Sequence, residues 1–304
     1  MPELAEVEFS RRQWNPGLGQ KITRLSLHPK TRLFRDTFPA KLRKTLLNQT
    51  LAASRAHGKR LFFCFTPSHV SRSSSSSAPT TPRPRAPTSA RISGSSVTLE
   101  LHLGMAGRLE CRPPKHKPAK HDHFVLYQTH QTLVFNDYRQ FGRLLLHTDD
   151  PTPWAELPPE PQDPAFTPKH LRALLARHPK LPIKAFLLDQ TAFPGVGNWM
   201  ADEILWRARL HPDLPAAQVD TAQLLKPLRF VCKGALKYVA DQPTQNPSNK
   251  LAHHTEPPTW GSPPKSWLFQ HRWSNDLTCP RCHTPLVREK LRARTACFCP
   301  KCQS

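Results

Sequence analysis

The chain has 304 residues, enough for about two domains with their own cores, and carries 44 Lys and Arg against 22 Asp and Glu, a formal net charge of +22 and a pI of 10.2. An excess of that size, spread over both halves, points to a polyanionic partner, nucleic acid ahead of an anionic membrane surface. No apolar run approaches the ~18 residues of a membrane span, and the acidic start lacks the regions of a signal peptide. A soluble protein of the cytoplasm, nucleoid or nucleus, not secreted and with no membrane partner, is expected.

The first stretch is Met1-Pro2-Glu3-Leu4-Ala5-Glu6-Val7-Glu8. Pro2 followed by three acids reads as a helix start, because proline lacks the amide left unpaired there and acids favour the positive end of the helix dipole. Leu4, Val7 and Trp14 supply the buried stripe. A second reading stands beside it. Removal of Met1 leaves Pro2 as a free secondary amine, and an α-amino group titrates near ~8, so a useful fraction is unprotonated at neutral pH and can act as a nucleophile. Glu3 is then a carboxylate one residue away. The octet alone leaves both readings open.

Strand patterns follow: the aromatic run Arg60–Phe65, the alternating Val97–Leu103, then Phe124–Tyr127, Leu133–Phe135 and Arg143–His147. Five or more strands ahead of any long helix predict a β-sandwich or barrel over residues 1–148. Residues 67–96, with the serine run at 73–77, are too polar to bury an ordered core and read as a disordered insertion. The proline-rich 149–167 is a linker. From Pro168 the period becomes helical, with candidates His170–His178, Ile183–Gln190, Trp199–Leu210 and Thr221–Ala240. A loop, Gln242–Lys265, ends this domain (168–265), and a cysteine-rich element occupies 266–304. The class expected is α+β.

Five of the eight cysteines fall in the last 26 residues. Cys279, Cys282, Cys299 and Cys302 form C-x2-C-x16-C-x2-C, two knuckles joined by a segment long enough for a β-hairpin, the pattern of one structural zinc ion. Four thiolates leave no open position, so this metal is not catalytic. Cys297 is spaced wrongly for either knuckle and reads as a plain structural cysteine. A ribbon this basic also fits a nucleic-acid clamp without catalysis. In Pro194-Gly195-Val196-Gly197-Asn198 the glycines allow a tight turn and close approach to a phosphate, while Asn198 can cap the next helix. His57-Gly58-Lys59-Arg60 sets a lysine at a strand end.

In this order, these residues resemble the formamidopyrimidine-DNA glycosylase/endonuclease VIII family over nearly the whole chain. The resemblance rests on Pro2-Glu3-Leu4, Gly58-Lys59, His102–Gly107, His121-Asp122-His123, Asn136–Gly142, Gly195–Asn198 with Ala201-Asp202-Glu203, and the terminal zinc ribbon. It implies an N-terminal helix plus β-sandwich, then a helix-two-turn-helix domain with a zinc ribbon, with damaged double-stranded DNA in the cleft and a monomer at work. The implied activity is that of a bifunctional DNA glycosylase and apurinic/apyrimidinic lyase. It would remove 8-oxoguanine, formamidopyrimidines or oxidised pyrimidines through a Pro2 iminium and cut by β,δ-elimination.

By the same resemblance Glu3 moves protons at sugar and base, Lys59 assists elimination, Arg294 holds the phosphate during cleavage and Asn198 binds the phosphates flanking the lesion. Met105, Arg139 and Phe141 fill the gap left by a flipped base, although Met105 and Phe141 alone would read as core residues. His121 and Lys180 match backbone-contact positions, with Lys184 a basic neighbour. Ala5, Tyr138, Gln140 and Ala293 depart from the family's usual residues, and none removes a reacting group. The rival reading is a damaged-DNA-binding zinc-ribbon protein without catalysis.

Overall fold

The opening octet does begin a helix, α1 (Leu4–Arg12), in the computed structural model, which describes residues 1–67, 96–150, 152–241, 260–273 and 277–303. Glu8 holds the helix surface through Arg11 and Arg12, each at 2.7 Å, the i,i+3 and i,i+4 spacings that face one another. The stripe expected from Leu4, Val7 and Trp14 is divided between two cores. Leu4 and Ala5 pack with the helices of the second domain, whereas Val7 and Trp14 pack between the sheets. Arg12 adds an ion pair to Asp241 at 2.6 Å, beyond the last helical turn of that domain. The first helix therefore belongs to both halves.

The β region consists of β1 (Arg24–Leu27), β2 (Gln49–His57), β3 (Arg60–Pro67), β4 (Val97–His102), β5 (Arg108–Arg112), β6 (Asp122–Tyr127), β7 (Thr132–Asn136) and β8 (Arg143–His147), with α2 (Pro39–Leu46) before β2. They form two four-stranded antiparallel sheets, ordered β1-β6-β7-β5 and β2-β3-β4-β8. Phe63, Phe65, Leu99 and Leu101 from one sheet meet Phe124, Leu126, Leu133 and Phe135 from the other around Trp14. The predicted sandwich forms because alternate residues of each strand share one apolar face. Outward-facing Phe62 is covered in turn by Trp154 of the linker, 5.4 Å between rings, which is why β3 reads as an unbroken apolar run.

Four elements lacked a signal. Strand β2 buries only Leu51 and His57 among polar and alanine residues, and α2, β1 and β5 are four to eight residues long. Elements so short or polar form because neighbouring strands and the core select them. The pair Phe65↔Val97 places the insertion at a β3–β4 hairpin. Pro67 is still strand and Ser96 is buried; residues 68–95, read as disordered, lie outside the described residues.

The second domain is α3 (Pro168–Arg177), α4 (Ile183–Leu187), α5 (Asn198–Ala208) and α6 (Thr221–Ala235), with a π turn over Leu236–Ala240 and the short α7 (Leu268–His271) beyond. Thr167 caps α3 and Asp220 caps α6 through their side chains. Helix α4 stops earlier than the predicted Gln190 because Gln190 turns back to the carbonyls of Leu188 (2.9 Å) and Val196 (2.8 Å) and shapes the turn into α5. The cysteine-rich end folds as the predicted hairpin, β9 (Val287–Leu291) with β10 (Arg294–Phe298). Of the loop Gln242–Lys265, residues 242–259 lie outside the described residues. No helix among the described residues is long and apolar enough to cross a membrane.

Candidate active site

The two domains meet where the chain begins. Leu4 donates its amide to the Gly195 carbonyl (3.0 Å), and the Glu3 carboxyl accepts from the amides of Trp199 through Oε1 (3.0 Å) and Met200 through Oε2 (3.1 Å). Those amides are orphan donors of the first turn of α5, so Glu3 caps a helix 195 residues away in sequence. Asn198 was expected to supply that cap. It stands first in the helix instead, and its Oδ1 has no hydrogen-bond partner among the described residues.

Glycines make room for this junction. A Cβ on Gly197 would lie 2.2 Å from the Glu3 Cδ. Gly195 (φ +88) and Gly58 (φ +57) occupy the left-handed region and stack against Leu4, Pro194 and each other. The Gly58 amide also donates to Glu160 Oε1 (2.7 Å) of the linker, holding the strand turn that presents Lys59.

Electrostatics tie the sequence-predicted residues into one site. Pro2 is buried, as are Glu3 and Lys59, at 4% and 7% exposure. Burial pushes the Glu3 carboxyl up to about 8, and the neighbouring Glu6 charge adds to this; Lys59 and the Trp199 and Met200 amides oppose it. Burial holds Lys59 below the ordinary lysine value, with Glu3 and Glu6 opposing and the Arg294 guanidinium reinforcing. Lys59 thus feels both Glu3 and Arg294 across the domain junction. A cavity of about 350 Å3 opens beside Lys59, walled by His57, His102, Gln190 and Pro194.

The Glu3 shift has a measurable sign. A carboxyl raised in the folded state stabilises fully below its unfolded value of about 4.5, and that contribution is lost as the pH rises to about 8. Between about pH 5 and pH 9 the protein should lose on the order of a few kcal/mol relative to Glu3→Gln in urea unfolding. Parallel pH profiles for the two would contradict a buried, protonated Glu3.

A second group projects from the β sandwich. Gly104 (φ +62) lies against the Phe141 backbone, where a Cβ would come 2.4 Å from the carbonyl carbon, so the turns carrying Met105 and Phe141 touch. Met105 is 44% and Phe141 49% exposed, not in the core that their composition alone suggests. The Arg139 guanidinium stands 5.2 Å from the Phe141 ring centroid. Buried Asp137 shapes this turn, accepting from the amides of Arg139 (3.2 Å) and Gly142 (2.7 Å). His121 packs beside Tyr138, 6.5 Å between rings, and Lys180 is exposed at the end of the α3–α4 turn. Lys184 is not a surface neighbour of these: it is 1% exposed and paired with Asp202.

The sulfur atoms of Cys279, Cys282, Cys299 and Cys302 all lie within 4.8 Å of one another. Four thiol donors so gathered, with Trp206 Nε1–H donating to Cys279 Sγ (3.3 Å), can hold a metal ion, and the closed set has no position for substrate. Cys297 is buried apart from the four. Sequence reasoning missed Glu6, whose Oε2 accepts from the Glu3 amide (3.2 Å) and whose Oε1 accepts from Trp199 Nε1 (3.0 Å). Its i+3 spacing from Glu3 was the available signal. Nothing in the sequence marked Glu160.

Comparison with known proteins agrees with this arrangement. The family model for the formamidopyrimidine-DNA glycosylase N-terminal domain matches residues 1–144, and that for the formamidopyrimidine-DNA glycosylase H2TH domain matches residues 157–238. The chain is 30% identical over 311 residues to the formamidopyrimidine-DNA glycosylase of Psychromonas ingrahamii, covering 100% of both. Its fold is similar to a Lactococcus lactis Fpg variant solved with Fapy-dG containing DNA (TM-score 0.74, 26% identity, 99% of each chain). It is equally similar to Lactococcus lactis Fpg solved with DNA containing an abasic site (TM-score 0.74, 25% identity, 99% of each). From the start of α1 to the end of the helical domain, the chain belongs to the formamidopyrimidine-DNA glycosylase family.

Proposed function

We propose that the protein is a bifunctional DNA glycosylase and apurinic/apyrimidinic lyase acting on oxidised bases in double-stranded DNA. The observation that carries this reading is the Glu3 carboxyl, buried and raised to about 8, beside Pro2 and under the field of Lys59 and, through it, Arg294. An acid kept protonated near neutral pH is what a proton donor at a sugar requires. A buried carboxyl and a buried lysine are each expensive to desolvate; capping α5 explains the place of Glu3 but not Lys59 beside it, whereas lesion chemistry uses both.

With Met1 removed, the Pro2 nitrogen attacks the sugar C1′, its bond forms as the base-to-sugar bond breaks, and the departing base takes a proton that Glu3 moves. The C1′–O4′ bond then breaks, O4′ taking a proton as the Pro2 nitrogen gives up its own, and the ring-opened iminium that results acidifies C2′. Loss of the C2′ proton expels the 3′ phosphate, and the further elimination expels the 5′ phosphate. Lys59 assists these proton transfers and Arg294 holds the phosphate. Asn198, Lys180 and His121 contact the backbone around the lesion, while Met105, Arg139 and Phe141 occupy the space of the flipped base, their exposure fitting that use. The four cysteines hold one zinc ion, which keeps the hairpin folded and takes no part in the chemistry. A monomer in the cytoplasm, nucleoid or nucleus suffices.

Borohydride reduction on a lesion duplex tests the mechanism. The expected product is a covalent adduct whose crosslinked peptide begins at Pro2, lost by at least about 100-fold in any form that retains a residue ahead of Pro2. An adduct mapping elsewhere, or none with an abasic duplex, would overturn the reading.

A further inference from the structure

The strand that carries Arg294 is an edge strand. Among the described residues strand β10 pairs with β9 alone, so its other edge presents amides and carbonyls at alternate residues. One of these groups is taken by a side chain from the helical domain. Lys184 Nζ on α4 donates to the Thr295 carbonyl (3.0 Å), and the Cys297 amide is near enough to Asp202 on α5 to favour its charged form. Lys184 and Asp202 are themselves paired, and Arg272, just past α7, donates to Asp202 Oδ2 (2.6 Å). The three side chains are 1%, 2% and 3% exposed.

Two cations and one anion in a dry interior are a poor source of stability, because desolvation offsets most of their attraction and an apolar cluster of equal volume would do as well. What the group does supply is direction. It grips β10 at Thr295, one residue from Arg294, and brings Asp202 close to the Cys297 amide.

We infer that the buried Lys184–Asp202 pair is a positioning device that sets the Arg294 guanidinium against the Lys59 side of the active site, with Arg272 holding Asp202 in place. The role of Arg294 in this inference rests on the function proposed above. The zinc ion orders the ribbon from its far end, whereas Lys184 and Asp202 set where the ribbon's strand meets the helices.

Charge bookkeeping selects the variants. Lys184→Met and Arg272→Met each leave one cation with Asp202, so each neutralises the cluster and each should fold. They differ in one respect: only Lys184→Met frees the Thr295 carbonyl. Strand cleavage of an abasic duplex is expected to fall about 30-fold in Lys184→Met and to stay within about threefold of wild type in Arg272→Met, both with one zinc per chain. Combined with Arg294→Ala, Lys184→Met should add less than about threefold to the loss from Arg294→Ala alone. Additive losses, or equal losses from the two methionine variants, would overturn the inference.

Amide hydrogen exchange over residues 293–297 gives a readout independent of catalysis, expected to be about tenfold faster in Lys184→Met than in wild type or Arg272→Met. If wild-type protein cleaves no lesion duplex, the proposed function falls, and unchanged exchange in Lys184→Met would sink the positioning role as well. If either variant fails to retain zinc, exchange and cleavage in Lys184→Gln, which keeps a donor of shorter reach, decide by the same two criteria.

Discussion

Gly197→Ala is expected to lower lesion cleavage by about 100-fold or more and to destabilise the protein by about 2–4 kcal/mol. The added Cβ would sit 2.2 Å from Glu3 Cδ, 2.4 Å from Cγ and 2.5 Å from Oε1, so the carboxyl must leave its place. Two consequences follow from one displacement. The amides of Trp199 and Met200 lose their acceptor in a buried first turn, which costs about 1–3 kcal/mol for an orphaned group. The carboxyl proposed as proton donor also moves away from Pro2, and an error near 1 Å at a reacting group is enough for the stated loss of rate. The measurement is urea unfolding together with single-turnover cleavage. Unchanged values in both would show that Glu3 is not held by the α5 amides.

Removal of the metal should have an effect of similar size by a different route. The ribbon has a small apolar core, in which Trp206, Leu268, Leu286 and Cys297 surround the cysteine cluster. An element with so few buried side chains depends on its metal, whose binding free energy is in effect its folding free energy. Chelation, or Cys279→Ser, is therefore expected to release about one zinc per chain, to open β9–β10 to hydrogen exchange and to cut strand cleavage by about 100-fold. The β sandwich has its own core around Trp14 and should keep its far-UV signature. Full activity in metal-free protein would refute both the structural metal and the placement of Arg294 by the ribbon.

The sequence carried a large share of the candidate site because its chemistry sits in short, local patterns. The C-x2-C pairs, Gly58-Lys59 and the turn 195–198 each need particular residue types at fixed spacing; the structure gathers the four cysteines, sets Gly58-Lys59 between β2 and β3, and puts 195–197 between α4 and α5 with Asn198 already inside the helix. Helix and strand periods likewise reported α3, α5, α6 and the strands β3, β4, β6, β7 and β8, where one face is apolar over several residues. Weak or short patterns, as in β2 and α2, carried no such signal, since their burial is decided by what packs over them.

Pairings between distant residues had no local trace. Asn198 next to a helix is a reasonable cap by type, but the α5 amides are filled by Glu3, because the fold brings its carboxyl to the same place. Lys184 looks like any basic residue in a chain of net charge +22, and only packing shows that it is buried with Asp202. Met105 and Phe141 have core chemistry, and only the contact between their turns at Gly104 shows that both project outward. Residue type and spacing by themselves determined which groups are present: an early proline and acid, a lysine after glycine, four paired cysteines and two kinds of domain. Tertiary structure alone decided which of them come together, because the environment that raises Glu3 and lowers Lys59 is made by chain segments far apart in sequence, and burial and charge proximity are properties of that assembly.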